Sequence, residues 1–249
     1  MQETYLKLAH TIIECAHTNP RHRTLIGIAG PPGSGKTTIA TETVKLINEQ
    51  STSISTDAQD ALETELPVRA ISIGLDGFHL PRSALDQMPN KEEAHRRRGA
   101  PWTFDAAGAL AFVQRLRAWA DTEVDTTYVD SQDEVPIFAP SFDHAAKDPV
   151  EDGISIPTST NIVIIEGIYV LLDEPIWRGI GPLMDLRVFV DVDEDVARTR
   201  VAQRHVAAGI EKTIGDAFAR VDSNDTLNGR LIKENIVPGV DVRIRSFDI

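Results

Sequence analysis

Gly30-Pro31-Pro32-Gly33-Ser34-Gly35-Lys36-Thr37 matches the pattern G-x-x-x-x-G-K-[ST] at every fixed place. Glycines at the bends let successive backbone N–H groups converge on phosphate oxygens with no Cβ in the way. A helix starting here turns its positive end toward the same anion. Lys36 can reach between a β- and a γ-phosphate, and the Thr37 hydroxyl can coordinate Mg2+. Thr38 fits packing or backbone bonding at the helix start. An ordinary Gly/Pro turn would not explain why lysine and threonine take the remaining positions, so the stretch is expected to bind a nucleoside triphosphate. Kinases, hydrolases and motors share such loops, and the reaction type stays open.

Two carboxylates stand where they could complete that chemistry. Glu166 ends the apolar run NIVIIEG, where a carboxylate can orient a magnesium-bound water or bind the metal itself; a helix cap or an ion pair is the plain alternative. Asp76 ends SIGLD. If its strand neighbours the strand that feeds the glycine loop, Asp76 faces the γ-phosphate and can orient or deprotonate an acceptor hydroxyl; otherwise it serves a turn. The chain lacks an N-K-x-D guanine motif, which favours ATP over GTP.

The acceptor side is less sharply written. His79 follows Asp76 closely and is either a substrate contact or a satisfied structural histidine. Arg96, Arg97 and Arg98 form a basic cluster, of which Arg98, beside Gly99, is the candidate for an anionic or polar substituent, with Trp102 as an apolar wall. A solvated basic turn is the alternative. Phe142 and His144 could return to the same pocket, or simply pack. Arg200 and Arg204 are four apart, so a helix would set them on one face that could close over the triphosphate, neutralise charge and exclude water. An exposed, salt-bridged helix would use the same spacing.

The elements needed to hold these groups are legible in outline. Tyr5, Leu6, Ala9, Ile12, Ile13 and Ala16 recur at helical spacing, predicting an opening helix. TLIGIAG then predicts a strand entering the glycine loop, and TTIATETVKLINEQ the helix leaving it. Residues 51–66 read as a surface connection, and VRAISIGLD as the second strand. FDAAGALAFVQRLRAWA predicts a helix, while 121–157 is polar and turn-rich, with room for a short hairpin over a pocket. The continuous apolar run of NIVIIEG suits a parallel strand covered on both faces. YVLLDEPIWRGI suggests a short helix and loop, LRVFVDV a strand, DEDVARTRVAQRHVAAGI a charged helix, residues 227–235 another helix, and VDVRIRSF a last edge strand. The expected class is α/β, a three-layer α/β/α sandwich with a mostly parallel sheet, of the P-loop nucleoside triphosphate hydrolase fold with a small lid.

Composition bounds the partners. The chain has 249 residues, 41% of them hydrophobic, enough for one domain over 1–249, with 1–20 as a helical extension and about 193–215 as the lid. Lys plus Arg number 25 against 38 Asp plus Glu, a formal charge of -13, which repels nucleic acid and anionic membrane surfaces. The lone Cys15 allows no intrachain disulfide, and no apolar run has the length of a membrane span, so the cytoplasm is the expected compartment. The composition leaves a homodimer open.

Taken together, GPPGSGKTT, LDGFHLP, RRRGAPWTFD, FAPSFDHAAKDPVEDGI, IIEGIYVLLDEP and FVDVDEDVARTRVAQRHVAAGI resemble the phosphoribulokinase and uridine kinase family, which also holds the bacterial-type pantothenate kinases. The resemblance spans roughly Leu25 to the C-terminus and is strongest toward a uridine-kinase-like branch. It implies a P-loop kinase core using ATP and Mg2+, with a small-molecule hydroxyl as acceptor. It implies Asp76 as the base, Glu166 near magnesium, Arg200 and Arg204 as lid arginines, and the region around VDSNDTLNGRLI near adenine. The departures are DGFH where uridine kinases carry DSFY, and Phe142 where relatives carry tyrosine. These weigh against uridine, pantothenate and ribulose 5-phosphate alike and leave a free sugar in view. A regulatory or assembly ATPase is the competing function class, and a nucleic-acid-associated ATPase a third.

Overall fold

A computed structural model of the chain describes residues 2–56, 68–122 and 135–246, with backbone alone for 51–56. The first half runs α1 (Gln2–Thr18), β1 (Thr24–Ala29), α2 (Lys36–Thr56), β2 (Ala70–Gly74), α3 (Arg82–Asp86), α4 (Lys91–Arg96) and α5 (Ala106–Ala120). The second runs β3 (Ile137–Asp143), β4 (Asp148–Ile156), β5 (Ile162–Glu166), β6 (Leu186–Asp191), α6 (Glu194–Ala207), α7 (Ile214–Ser223), α8 (Asp225–Glu234) and β7 (Val242–Arg245).

Five strands form one sheet in the order β2-β5-β1-β6-β7, and every pairing in it is parallel. Both faces are covered, which is why β1 is buried at every residue and shows no alternation. Ile26, Ile28, Ile162 and Ile164 point to a core shared with Leu8, Ala9 and Ile12 of α1 and Ile39 and Ile47 of α2. Leu25, Val163 and Ile165 meet Phe112, Val113 and Leu116 of α5 and the 169–180 segment on the other side. Each such Leu or Ile contributes about 1.5–3 kcal/mol by leaving water. The expected three-layer sandwich is therefore present, and the opening helix, expected as an extension, is built into one of its layers.

Three details differ from the sequence expectation: the pairing of β2, the form of 169–180 and an additional helix. β2 pairs with β5, not β1, so the strand carrying Asp76 is one place removed from the glycine-loop strand. The short hairpin for which 121–157 left room is present as the antiparallel pair β3–β4, apart from the main sheet. Residues 169–180 form no α-helix but a turn followed by a 3-10 turn at Trp177–Gly179, because Pro175 and Gly179 interrupt the pattern. An additional helix, α7, precedes the one expected near 227–235; Thr213 accepts the Asp216 amide at 3.1 Å and donates to its carboxylate at 2.7 Å, closing its first turn. Parts of the expected surface connection (57–67), of the turn-rich segment (123–134) and of the last strand (247–249) lie outside the described residues. Among the described residues no helix is long and apolar enough to cross a membrane.

Candidate active site

The glycine loop leaves β1 and enters α2 with Gly33 at φ 78° and Gly35 at φ 83°, both in the left-handed region. Ser34 N–H donates to Pro31 O at 3.2 Å and Ile39 N–H to Gly35 O at 2.9 Å, whereas the Lys36, Thr37 and Thr38 amides have no backbone acceptor among the described residues. Three unspent donors at a helix start form an anion cradle. Lys36 has no carboxylate within ion-pair range among the described residues, so its charge is free for a phosphate. A Cβ on Gly33 would come 2.6 Å from Ala197 O of α6. Gly33→Ala should therefore push the loop out of shape and lower MgATP affinity about tenfold, the left-handed penalty alone being about 1–2 kcal/mol. Calorimetric titration with nucleotide measures it.

Glu166 stands where three strands meet. It pairs in register with Ile28 of β1 and with Gly74 of β2. Its Oε1 accepts the Thr37 hydroxyl at 2.9 Å, and a Cβ on Gly74 would sit 3.4 Å from the same oxygen. Burial pushes the Glu166 carboxyl above its usual range; Lys36 pulls it back, Asp76 adds to the rise, and the Thr37 bond lowers it. Those influences place Lys36, Thr37, Asp76 and Glu166 in one electrostatic neighbourhood. No group of three or more His, Cys, Asp or Glu gathers for a metal among the described residues. The Thr37 hydroxyl and the Glu166 carboxylate, in contact with each other, are hard oxygen donors of the kind that Mg2+ takes.

Asp76 sits on the 3-10 turn Leu75–Phe78 that follows β2, with its side chain 61% exposed. With β5 in between, it reaches the cradle across Glu166 and not as a direct neighbour of β1. Gly77 lets the turn press on the hairpin: a Cβ there would come 2.3 Å from Pro140 O. The Asp76 carbonyl accepts both the His79 amide at 3.1 Å and His79 Nδ1–H at 2.9 Å. A carbonyl can only accept, so that contact places the proton on Nδ1 and leaves Nε2 with a lone pair.

His79 is packed between Phe104, at 3.9 Å between ring centres, and Phe142, at 5.2 Å, and Phe142 lies 5.3 Å from His144. Burial pushes the His79 imidazole below its usual value, outweighing the Asp76 charge, so it is neutral at neutral pH. Nε2 has no hydrogen-bond partner among the described residues. Trp102 goes elsewhere: it is 43% exposed and lines a cleft of about 770 Å3 with Phe104, Ile176, Trp177 and Asn228, to which neither Asp76 nor Lys36 contributes. Arg98, named for a substrate anion, spends its terminal nitrogens on Leu80 O, Lys147 O and Asp148.

Of the arginines of α6, the two expected at the site, Arg200 and Arg204, part company. Arg200 donates to Gly33 O at 3.2 Å and to the Ser246 hydroxyl at 2.8 Å, against the glycine loop. Arg204 is exposed one turn further on, where its charge acts on Asp225 and His205. The region expected as a lid begins with α6, which packs on α7 through Val201, Ala202, Ala217 and Val221, and both helices also touch α8. Sequence reading missed the fastening of this cap: a Cβ on Gly229 of α8 would touch Pro31 at 3.2 Å, and Asn224 and Asn228 bond the Arg97–Arg98 segment. Only the small residue at 229 hinted at a close approach.

A family profile described as the phosphoribulokinase/uridine kinase family matches residues 25–209. A Schizosaccharomyces pombe protein provisionally named a uridine kinase is 37% identical over 217 residues, covering 87% of this chain and 81% of its own. Among solved structures, YFH7 of Saccharomyces cerevisiae, described as a P-loop-containing kinase with a circular permutation, superposes with a TM-score of 0.85 at 26% identity, over 98% of this chain and 99% of that one. A Silicibacter protein provisionally described as a fructose transport system kinase gives 0.72 at 26% identity, over 96% of this chain and 98% of that one.

Proposed function

Because the chain belongs to the phosphoribulokinase/uridine kinase family, and is thereby a P-loop phosphotransferase with an alcohol acceptor, we propose that it transfers the γ-phosphoryl group of MgATP to a hydroxyl of a nucleoside, sugar or related small metabolite. The observation that carries this reading is the convergence of Asp76, Glu166, Thr37 and Lys36 at the ends of β2, β5 and β1. In it, the α2 amides and Lys36 hold the phosphates, and Thr37 with Glu166 would hold the metal. Mg2+ supplies neutralisation of phosphate charge. Asp76 takes the proton from the acceptor hydroxyl as its oxygen attacks phosphorus, while Arg200, and Arg204 on closure, stabilise charge moving onto the leaving phosphate.

On the acceptor side, His79 Nε2 accepts a hydrogen bond from a second hydroxyl, with Phe142 and His144 covering it. The names of the relatives point the same way, since uridine and fructose are uncharged and rich in hydroxyls. A mass-resolved screen of nucleosides, pantothenate, ribulose 5-phosphate and free sugars with MgATP should yield a product heavier by one phosphoryl group; ATP consumed with no such product would count against the proposal.

His79 also sets a pH dependence. Protonation turns Nε2 from acceptor to donor, so kcat/KM for the acceptor should fall as pH drops through the lowered His79 value, on the acid side of about pH 6.5. His79→Phe should lower kcat/KM about tenfold at neutral pH, the worth of one such bond, and flatten the acid limb. A pH–rate profile of both proteins decides it.

A further inference from the structure

Arg98 stands where an anion-binding arginine was expected, yet both of its terminal nitrogens are already engaged, and its Nε is buried with no hydrogen-bond partner among the described residues. Nη1 donates to Lys147 O, and Nη2 donates to Leu80 O at 3.0 Å and to Asp148 Oδ1 at 2.8 Å. Its guanidinium carbon lies 5.6 Å from the centre of the Phe142 ring. Asp148 Oδ1 also accepts the amide of Arg82, the first residue of α3, at 2.9 Å. One side chain therefore joins the exit of the Asp76 turn, the tip of the β3–β4 hairpin and, through Asp148, the start of α3. Its own backbone is anchored from the opposite side. Asn224 Nδ2 donates to Arg98 O at 2.9 Å, and neighbouring Arg97 donates to Asn228 Oδ1 at 3.1 Å, next to the glycine that packs on Pro31.

Building on the kinase reading above, we propose that Arg98 is a positioning residue: with Asp148 it locks the β3–β4 hairpin so that Phe142 and His144 stand over His79, and it does not itself ligate the acceptor. A planar fork suits this task because it reaches several separate acceptors at fixed angles, which a lysine ammonium cannot do. Recognition of the acceptor then falls to uncharged groups such as His79 Nε2, which favours acceptors without a phosphate at this position.

The test uses the full chain as Arg98→Lys, Arg98→Met and Asp148→Asn, with melting curves to confirm that each folds. Hydrogen exchange by mass spectrometry, without nucleotide, should rise about tenfold or more across residues 142–150 in all three, as expected when charge-assisted bonds that fasten a hairpin are lost. MgATP titration should be unchanged, and with whichever acceptor the wild-type chain phosphorylates, KM should rise in all three. Combining Arg98→Lys with Asp148→Asn should add little to either alone, because the two act through one contact. Two results would overturn the proposal: hairpin exchange that stays at the wild-type rate, or an Arg98→Lys chain that keeps acceptor affinity while Arg98→Met loses it. The latter would make Arg98 a cationic substrate ligand. Asp148→Asn, the mildest change, decides the matter if the Arg98→Met chain does not fold, and the exchange measurement stands even if no acceptor is phosphorylated.

Discussion

Asp76→Asn is expected to lower kcat for phosphoryl transfer about a hundredfold to ten-thousandfold, the span that a positioned general base contributes, with MgATP affinity nearly unchanged. The reasoning is geometric. Asp76 is on the turn after β2, removed from the glycine loop by the width of β5, and none of its contacts holds a phosphate-binding amide. The fold features around it are carried by its backbone: its carbonyl accepts the two His79 bonds, and the carboxylate is largely exposed. Asparagine keeps the shape and loses the proton acceptor. Steady-state kinetics beside calorimetric ATP titration separates the two effects, and equal loss of binding and transfer would remove Asp76 from the base role.

Lys36→Met is expected to fail differently, with transfer down by about a hundredfold to a thousandfold, as for a removed transition-state donor, and MgATP binding weakened as well. Lys36 has no carboxylate within ion-pair range among the described residues, opens α2 directly after the glycine loop, and its charge acts on Glu166. It is also the largest influence pulling the Glu166 carboxyl down against burial and Asp76. Its removal should therefore drive Glu166 further toward the protonated form, costing the metal a ligand in addition to costing the phosphate a cation. Measuring ATP affinity with and without Mg2+ exposes this: the Mg2+-dependent gain in affinity should shrink in Lys36→Met and stay intact in Asp76→Asn.

The phosphate half of the site was readable because its chemistry is local. Positions 30–37 are contiguous, and glycine, lysine and threonine at fixed offsets leave few other uses for the stretch. The continuous apolar runs of β1 and β5 likewise announced strands buried on both faces. What could not be read was strand order. No residue in VRAISIGLD states that β5 would lie between it and β1, because pairing partners are chosen by crossovers far apart in sequence.

The acceptor half is assembled from distant pieces, and there type alone misled. Arg98 looks like an anion ligand until Lys147, Asp148 and Leu80 engage its terminal nitrogens, partners that sequence separation hides. Trp102 looks like the wall of the Asp76 pocket but lines a different cleft. By contrast, α7 carried a visible signal that went unused: Thr213 with Asp216 three residues later is a capping pair ahead of the buried Ala217 and Val221. Arg200 and Arg204 share a helix as their spacing requires, yet a one-turn offset puts the first on the glycine loop and the second beside Asp225.

The most direct measurement follows γ-labelled ATP through a single turnover in the presence of the acceptor found by screening, comparing the wild-type chain with Asp76→Asn. A carboxylate and a triphosphate cradle that open into one crevice should send the label mainly to the small molecule in the wild type and leave it on ATP in the variant. Label released as free phosphate by both proteins at similar rates would contradict transfer to a bound alcohol.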